Sequence, residues 1–205
     1  GVCQPSGWFW QNPLPQGNNL LGVSFADANN GTAAGLGGTM LRTTDGGATW
    51  VVQNSGTTND LQGVSFTDAN NGTAVGSSGT ILRTTDGGAT WVAQSSGTIN
   101  DLLGVSFTDA NTGTAVGQSG TILRTTNGGA TWTAQNSVTT NGLSGVSFTD
   151  ANTGTAVGGN GTILRTTDGG ATWVAQDSGT TNSLLDVSFA DANSGTVVGD
   201  NGTIV

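Results

Sequence analysis

The sequence predicts an all-β protein, a five-bladed β-propeller of 41-residue, four-stranded blades. Four tryptophans recur every 41 residues, and so do five phenylalanines: Trp50, Trp91, Trp132, Trp173, and Phe25, Phe66, Phe107, Phe148, Phe189. Between them, short β-prone runs are separated by Asn, Asp and Gly turns, and no helical period occurs. Four short strands in a repeat of about 40 to 45 residues are typical of propeller blades.

The unit from Leu102 to Gly142 illustrates the four predicted strands. The run LLGVSF forms the first strand, with Val105 and Phe107 on one face because alternate strand residues share a face. The turn TDANTG leads to the second strand, TAVG, and a short turn leads to the third, TILRTT. The turn NGG then leads to the fourth strand, ATWTAQ. We therefore expect a single domain over 1–205, with an N-terminal segment at 1–19 and blades at 20–60, 61–101, 102–142, 143–183 and 184–205.

The fifth unit stops inside its third strand, so the N-terminal segment is predicted to complete it. Trp8, Phe9 and Trp10 resemble the sequence of the fourth strands. A strand from the N-terminus that completes the last blade would close the ring at this seam and remove an exposed edge. Alternatively, this strand inserts into a neighbouring molecule and links copies head to tail. Cys3 lies next to this seam and is the single cysteine, so it forms no internal disulfide and is either a free thiol or an intermolecular crosslink.

The turn before each repeated tryptophan carries a family resemblance. TTDGGATW occurs three times, and TTNGGATW once. This pattern resembles the Asp-box, or BNR repeat, of sialidase-like propellers. The longer phrase GTILRTTDGGATW resembles the photosystem II stability and assembly factor family and related repeats of secreted bacterial proteins. The resemblance implies a propeller, but such folds host many activities.

The box residues are predicted to be structural. The box acids are Asp45, Asp86 and Asp168, with Asn127 in the third unit, and their tryptophans are Trp50, Trp91, Trp132 and Trp173. A carboxylate that accepts backbone N–H bonds holds a hairpin, and Asn does the same, so the Asn in one unit is what a turn-holding role predicts and a metal-ligand role does not. A second ring, Asp27, Asp68, Asp109, Asp150 and Asp191, is interpreted as repeated Asx turns, with a Ca²⁺ cluster as the alternative. We expect no metal and no cofactor.

Catalysis is disfavoured by composition. The chain contains no Glu, His, Tyr or Lys, and its cations are Arg42, Arg83, Arg124 and Arg165. Glycosidases require a positioned acid beside a second carboxylate, and the usual general base is absent. The repeat-equivalent arginines are expected to form salt bridges or pack between blades, rather than to converge on one carboxylate-binding pocket at the axis. The sequence therefore predicts no enzyme, with an Asp pair at the propeller axis as the remaining catalytic route.

Charge and composition limit the partners. The net charge of −9 repels nucleic acid and anionic membranes, and no apolar run is long enough to cross a bilayer. The absence of an initiator Met suits a mature secreted chain, so we expect an extracellular or cell-surface location. A low-charge surface of similar blades favours self-association.

Recognition is expected on the face that carries the turns between second and third strands. These turns differ most between units, and their candidate residues are Ser77, Ser78, Gln118, Ser119, Asn160, Asp200 and Asn201. The predicted function is a non-catalytic interaction or structural module, as a subunit of an extracellular homo-oligomer or filament. The alternatives are a glycan-binding, lectin-like propeller and a protein-binding propeller of the assembly-factor type.

Overall fold

A computed structural model describes residues 17–205. The predicted closing strand, with Trp8, Phe9, Trp10 and Cys3, lies outside the described residues. Within them the chain is all-β, with four four-stranded antiparallel sheets and one two-stranded sheet. Each sheet is a blade, so the prediction of a five-bladed propeller is confirmed. None of the helical segments in this part of the chain has the length and hydropathy needed to cross a membrane.

Every blade uses its strands in chain order, as a meander. The first blade contains β1 (Leu20–Phe25), β2 (Gly31–Gly35), β3 (Met40–Thr43) and β4 (Val51–Gln53). The second contains β5 (Leu61–Phe66), β6 (Gly72–Gly76), β7 (Thr80–Thr84) and β8 (Val92–Gln94). The third contains β9 (Leu102–Phe107), β10 (Gly113–Gly117), β11 (Ile122–Thr125) and β12 (Thr133–Ala134). The fourth contains β13 (Leu143–Phe148), β14 (Gly154–Gly158), β15 (Thr162–Thr166) and β16 (Val174–Gln176).

The fifth blade has β17 (Leu184–Phe189) and β18 (Gly195–Gly199), and a single bridge joins Val198 to Ile204. The first strands of all blades (β1, β5, β9, β13 and β17) are called the inner strands, because together they surround the axis. A 3-10 turn comes directly after the second strand of each blade, at Leu36–Gly38, Ser77–Gly79, Gln118–Gly120, Gly159–Gly161 and Asp200–Gly202.

The core lies between consecutive blades, where the apolar faces of two sheets meet. Ala34 and Met40 of the first blade pack against Leu61, Val64 and Phe66 of the second. The same pairing recurs at the next interfaces because the 41-residue repeat places equivalent side chains there. Burial of one such leucine contributes about 2 to 3 kcal/mol.

Arginine side chains join each blade to the next. The guanidinium of Arg42 donates to the carbonyl of Ala69 at 2.7 Å and lies 5.1 Å from the ring centroid of Phe66. The other three arginines repeat both contacts with the carbonyls of Ala110, Ala151 and Ala192 and the rings of Phe107, Phe148 and Phe189. The arginines therefore pack between blades, as their repeated spacing predicted.

The first blade exposes the face that every later blade buries. Leu20, Val23 and Phe25 are 41%, 63% and 46% exposed. Their equivalents in the second blade, Leu61, Val64 and Phe66, are 0%, 8% and 8% exposed. Extensive contacts link consecutive inner strands, but in the described part of the chain they do not link β1 to β17. Among residues 17–205, no sheet covers this face of the first blade as the preceding sheets cover its counterparts.

Candidate functional site

The Asp-box carboxylates bond within their own hairpins. Asp45 Oδ1 accepts the backbone N–H of Thr49 at 2.8 Å, and Asp45 Oδ2 accepts the Thr49 hydroxyl at 2.7 Å. The Thr43 hydroxyl donates to Asp45 Oδ1 at 2.8 Å. The equivalent hydrogen bonds lower the pKa of Asp86 and Asp168 to about 2. The threonine side chains have the largest effect, and the backbone N–H groups have the next largest. This geometry holds the turn and keeps the carboxylates ionised.

Asn127 makes the same turn without a charge. Its Oδ1 accepts the backbone N–H of Thr131 at 3.0 Å. Its Nδ2 donates to the Thr131 hydroxyl at 3.0 Å, in the reverse direction to the bond made by the acids. The hairpin thus needs an acceptor at this position but not a carboxylate.

The box tryptophans pack against phenylalanines of their own blades. Each pair meets edge to face, with centroids 5.9 to 6.1 Å apart. Trp132 Nε1 and Trp173 Nε1 also donate to glutamine side chains of the preceding blade, Gln94 at 3.2 Å and Gln135 at 3.3 Å. Trp173 is buried, whereas Trp50, Trp91 and Trp132 are partly exposed.

The second ring of aspartates forms Asx turns. Asp27 Oδ1 accepts the backbone N–H groups of Asn29 at 2.8 Å and Asn30 at 2.9 Å. These backbone bonds, that of Asn29 first, lower the pKa of Asp27. The same turn recurs at Asp68, Asp109, Asp150 and Asp191. Among residues 17–205 no three potential metal-ligating His, Cys, Asp or Glu side chains cluster.

The predicted recognition residues lie together on one end of the propeller, called the loop face. Ser78, Ser119, Asn160 and Asn201 are exposed at the centres of the 3-10 turns, with φ between 54° and 56°. Ser77, Gln118 and Asp200 begin these turns. The loops that enter the inner strands lie beside them, since Asp101 accepts the backbone N–H of Ser78 at 2.8 Å and the side chain of Gln118 at 2.9 Å. The opposite end, with the Asp boxes and Asx turns, is called the box face.

Each inner strand contains a β-bulge that sequence reasoning missed. In the second blade Leu61 pairs with Gly76 and Gly63 with Val75, so Gln62 is the extra residue. The register shifts at the equivalent point of every inner strand, and the extra residues are Leu21, Gln62, Leu103, Ser144 and Leu185. A bulge re-aims a side chain, and it commonly does so beside functional sites.

The five bulge residues line a depression of about 370 Å³ at the axis, called the axial depression. Its lining comes from all five inner strands. Because the bulges lie near the start of these strands, where the loops enter, the depression belongs to the loop-face half of the propeller. Three of the five bulge side chains are leucines and two are polar, and Asp186 is the single charged side chain in the lining.

Glycines bring the inner strands close around this depression. A Cβ on Gly22, Gly63, Gly104 or Gly145 would lie 2.9 to 3.1 Å from backbone atoms of the next inner strand. The fifth inner strand has Asp186 at the equivalent position, and this side chain is exposed. The sequence contains a signal for the bulge: within the nearly constant motif L-x-G-V-S-F, the bulge position x varies between blades.

Solved structures share this architecture. A structure described as YCF48 bound to D1 peptide aligns with a TM-score of 0.74 and 23% identity over 93% of this chain and 63% of that one. A GH74 enzyme from Niastella koreensis aligns with a TM-score of 0.68 and 23% identity over 94% of this chain and 29% of that one. An ancestral GH74 enzyme aligns with a TM-score of 0.65 and 17% identity over 98% of this chain and 33% of that one. This chain thus spans less than two thirds of the length of each, and the likeness shows the fold.

No curated protein matches the sequence. The family described as photosynthesis system II assembly factor YCF48 does match, over residues 4–91 and 52–134. The prediction of an extracellular or cell-surface location is wrong, because this family is described by its work on photosystem II, which is not an extracellular complex. The two matches together cover more than half of the sequence, and the chain therefore belongs to the YCF48 family of photosystem II assembly factors.

Proposed function

We propose that this chain is a non-catalytic, protein-binding propeller of the assembly-factor type, and that it binds an exposed segment of a partner protein on its loop face. The observation that carries the proposal is the axial depression, which is lined by the bulge residue of every inner strand, three leucines and two polar residues. Family membership supports a protein partner, and a YCF48 structure is described as containing a D1 peptide.

The surface of the depression is mainly polar, and leucines contribute its apolar part. Leu21 and Leu185 are 44% and 49% exposed, and Leu103 is partly exposed. Apolar side chains at the mouth of a concave site gain burial when a ligand covers them, whereas Gln62 and Ser144 supply polar groups that orient a backbone. The volume of about 370 Å³ accommodates a few side chains rather than a folded domain. An extended segment is therefore the form of partner that fits.

The state of the carboxylates supports a non-catalytic role. A glycosidase acid needs a raised pKa. The box and Asx-turn carboxylates have lowered pKa values, because hydrogen bonds from their own turns stabilise the charged form. The likeness to GH74 enzymes concerns the fold alone. This sequence contains no Glu, His or Tyr that could act as a catalytic acid, base or nucleophile.

Two functions predicted from the sequence gain no support from the comparisons with known proteins. Self-association into a homo-oligomer or filament stays a prediction. Glycan binding commonly uses well-exposed stacking rings, whereas the repeated tryptophans are buried or only partly exposed and pack against phenylalanines.

Panning a peptide-phage library on the intact chain tests the proposal. Selected peptides should bind at least about fivefold more weakly to Leu103→Ser, which alters the depression, because an apolar anchor contributes over about 1 kcal/mol. Val92→Ser is the matched control, since Val92 is 63% exposed on a fourth strand away from the axis. Peptides that bind both variants alike, or no selected peptide at all, would contradict the proposal.

A further inference from the structure

We propose that the partner segment recognised at the axial depression is cationic, with an apolar side chain flanked by Lys or Arg. This inference rests on the proposed function and adds the chemistry of the ligand. It depends on how the described charges divide between the two faces of the propeller.

The loop face carries carboxylates and no cationic side chain among the described residues. Asp186 lines the depression itself. Its Oδ1 accepts the backbone N–H of Val187 at 2.8 Å, and no described residue bonds to its Oδ2. The loops and 3-10 turns around the depression add four more acids, Asp60, Asp101, Asp177 and Asp200.

The four arginines serve the other face. Arg83 donates to the carbonyl of Ala110 at 2.7 Å and to Asn71 Oδ1 at 3.1 Å, both at the Asx turns of the box face. Its positive charge also helps to lower the pKa of Asp68, after the hydrogen bonds of the Asx turn. Arg42 and Arg124 act in the same way on Asp27 and Asp109. The sequence has no Lys or His, so these are all its cationic side chains.

The two faces therefore differ in electrostatics although both contain aspartates. On the box face the carboxylates bond within their turns, and three of them lie near an arginine. On the loop face no cation offsets the acids in the described part of the chain, and Asp186 projects at the place where a ligand would sit. A bound acidic segment would meet like charge, whereas a basic one gains affinity and a faster association rate. The leucines around Asp186 supply the apolar contact that such a segment needs to remain bound.

The peptide-phage selection also tests the ligand chemistry. We expect selected sequences to be enriched in Lys and Arg next to an apolar residue. For a selected peptide, the dissociation constant should rise about three- to tenfold for Asp186→Asn and should also rise between about 50 and 300 mM salt, as screening predicts. Asp191→Asn is the matched control, because Asp191 makes an Asx turn on the box face and Asn preserves the acceptor.

The outcomes separate the two proposals. Basic peptides whose binding depends on both Leu103 and Asp186 would support both. Neutral or acidic peptides that depend on Leu103 would overturn the cationic ligand and leave the proposed function standing, and so would basic peptides that bind Asp186→Asn as tightly as the unaltered chain. Failure to select any peptide that depends on Leu103 would overturn the proposed function.

Discussion

Leu20 and Leu61 are the first residues of equivalent inner strands, and they provide a matched test of blade packing. Leu61 is 0% exposed because the first blade covers it, whereas Leu20 is 41% exposed. Leu61→Ala should lower the free energy of unfolding by about 3 kcal/mol, from lost burial and the cavity that remains. Leu20→Ala should lower the free energy of unfolding by only about 1 kcal/mol, because its side chain is partly buried. No described sheet covers it, so its removal leaves no enclosed cavity.

Thermal unfolding measures this difference. In a domain of this size, 1 kcal/mol corresponds to about 2 to 4 °C in Tm. The expected loss is therefore about 6 to 12 °C for Leu61→Ala and about 2 to 4 °C for Leu20→Ala. Far-UV circular dichroism and tryptophan fluorescence should give coincident transitions, which would justify comparing single free energies. Equal large losses would refute the reasoning, since they would mean that another sheet covers the face of Leu20 as completely as that of Leu61.

Three further predictions concern the inner strands, the boxes and the seam. Gly104→Ala should lower the free energy of unfolding in urea by about 1 to 3 kcal/mol, since its Cβ would lie 2.9 Å from the carbonyl oxygen of Ser144. Gly142→Ala is the control and should change little, because the nearest neighbour of its Cβ would be 3.9 Å away. Equal effects of the two variants would contradict the close approach of the inner strands. The folded-state pKa of Asp86, about 2, lies below its ordinary value of 3.8, so its stabilisation is present above about pH 4 and is lost as the pH falls towards 2. Asp86→Asn should therefore flatten the fall of Tm between pH 5 and pH 2, and an unchanged profile would count against the box bonds. Removal of residues 1–12 tests the proposed closing strand: lower Tm or polymerisation is expected, and an equally stable monomer would dismiss it.

Much of the fold follows from one period in the sequence. The recurrence of Phe and Trp every 41 residues places the same side chains at every blade interface, so counting first strands was enough to predict five blades. The role of the box residues as turn holders agrees with the bonds of Asp45 and Asn127. Both predictions depend on local chemistry that each repeat carries within itself.

Features that depend on neighbouring blades were harder to predict. Leu20 and Leu61 occupy the same place in nearly identical strands, LLGVSF and LQGVSF, yet they differ in exposure because no sheet in the described part of the chain covers Leu20. The bulges were missed because they lie before the part of the strand that shows regular alternation, such as Val105 and Phe107 on one face. A one-residue shift in strand register at the start of the strand leaves that alternation unchanged. The predicted cellular location was wrong because neither the composition nor the first residue determines where a protein is located.

Methyl-resolved NMR of the intact chain with a selected peptide tests the central claim most directly. If the peptide binds in the axial depression, the methyl resonances of Leu21, Leu103 and Leu185 should shift together on titration. The methyls of Val51, Val92 and Val174, which are exposed on fourth strands, should stay in place. Shifts confined to those outer valines, with the three leucines unmoved, would contradict a binding site at the axis.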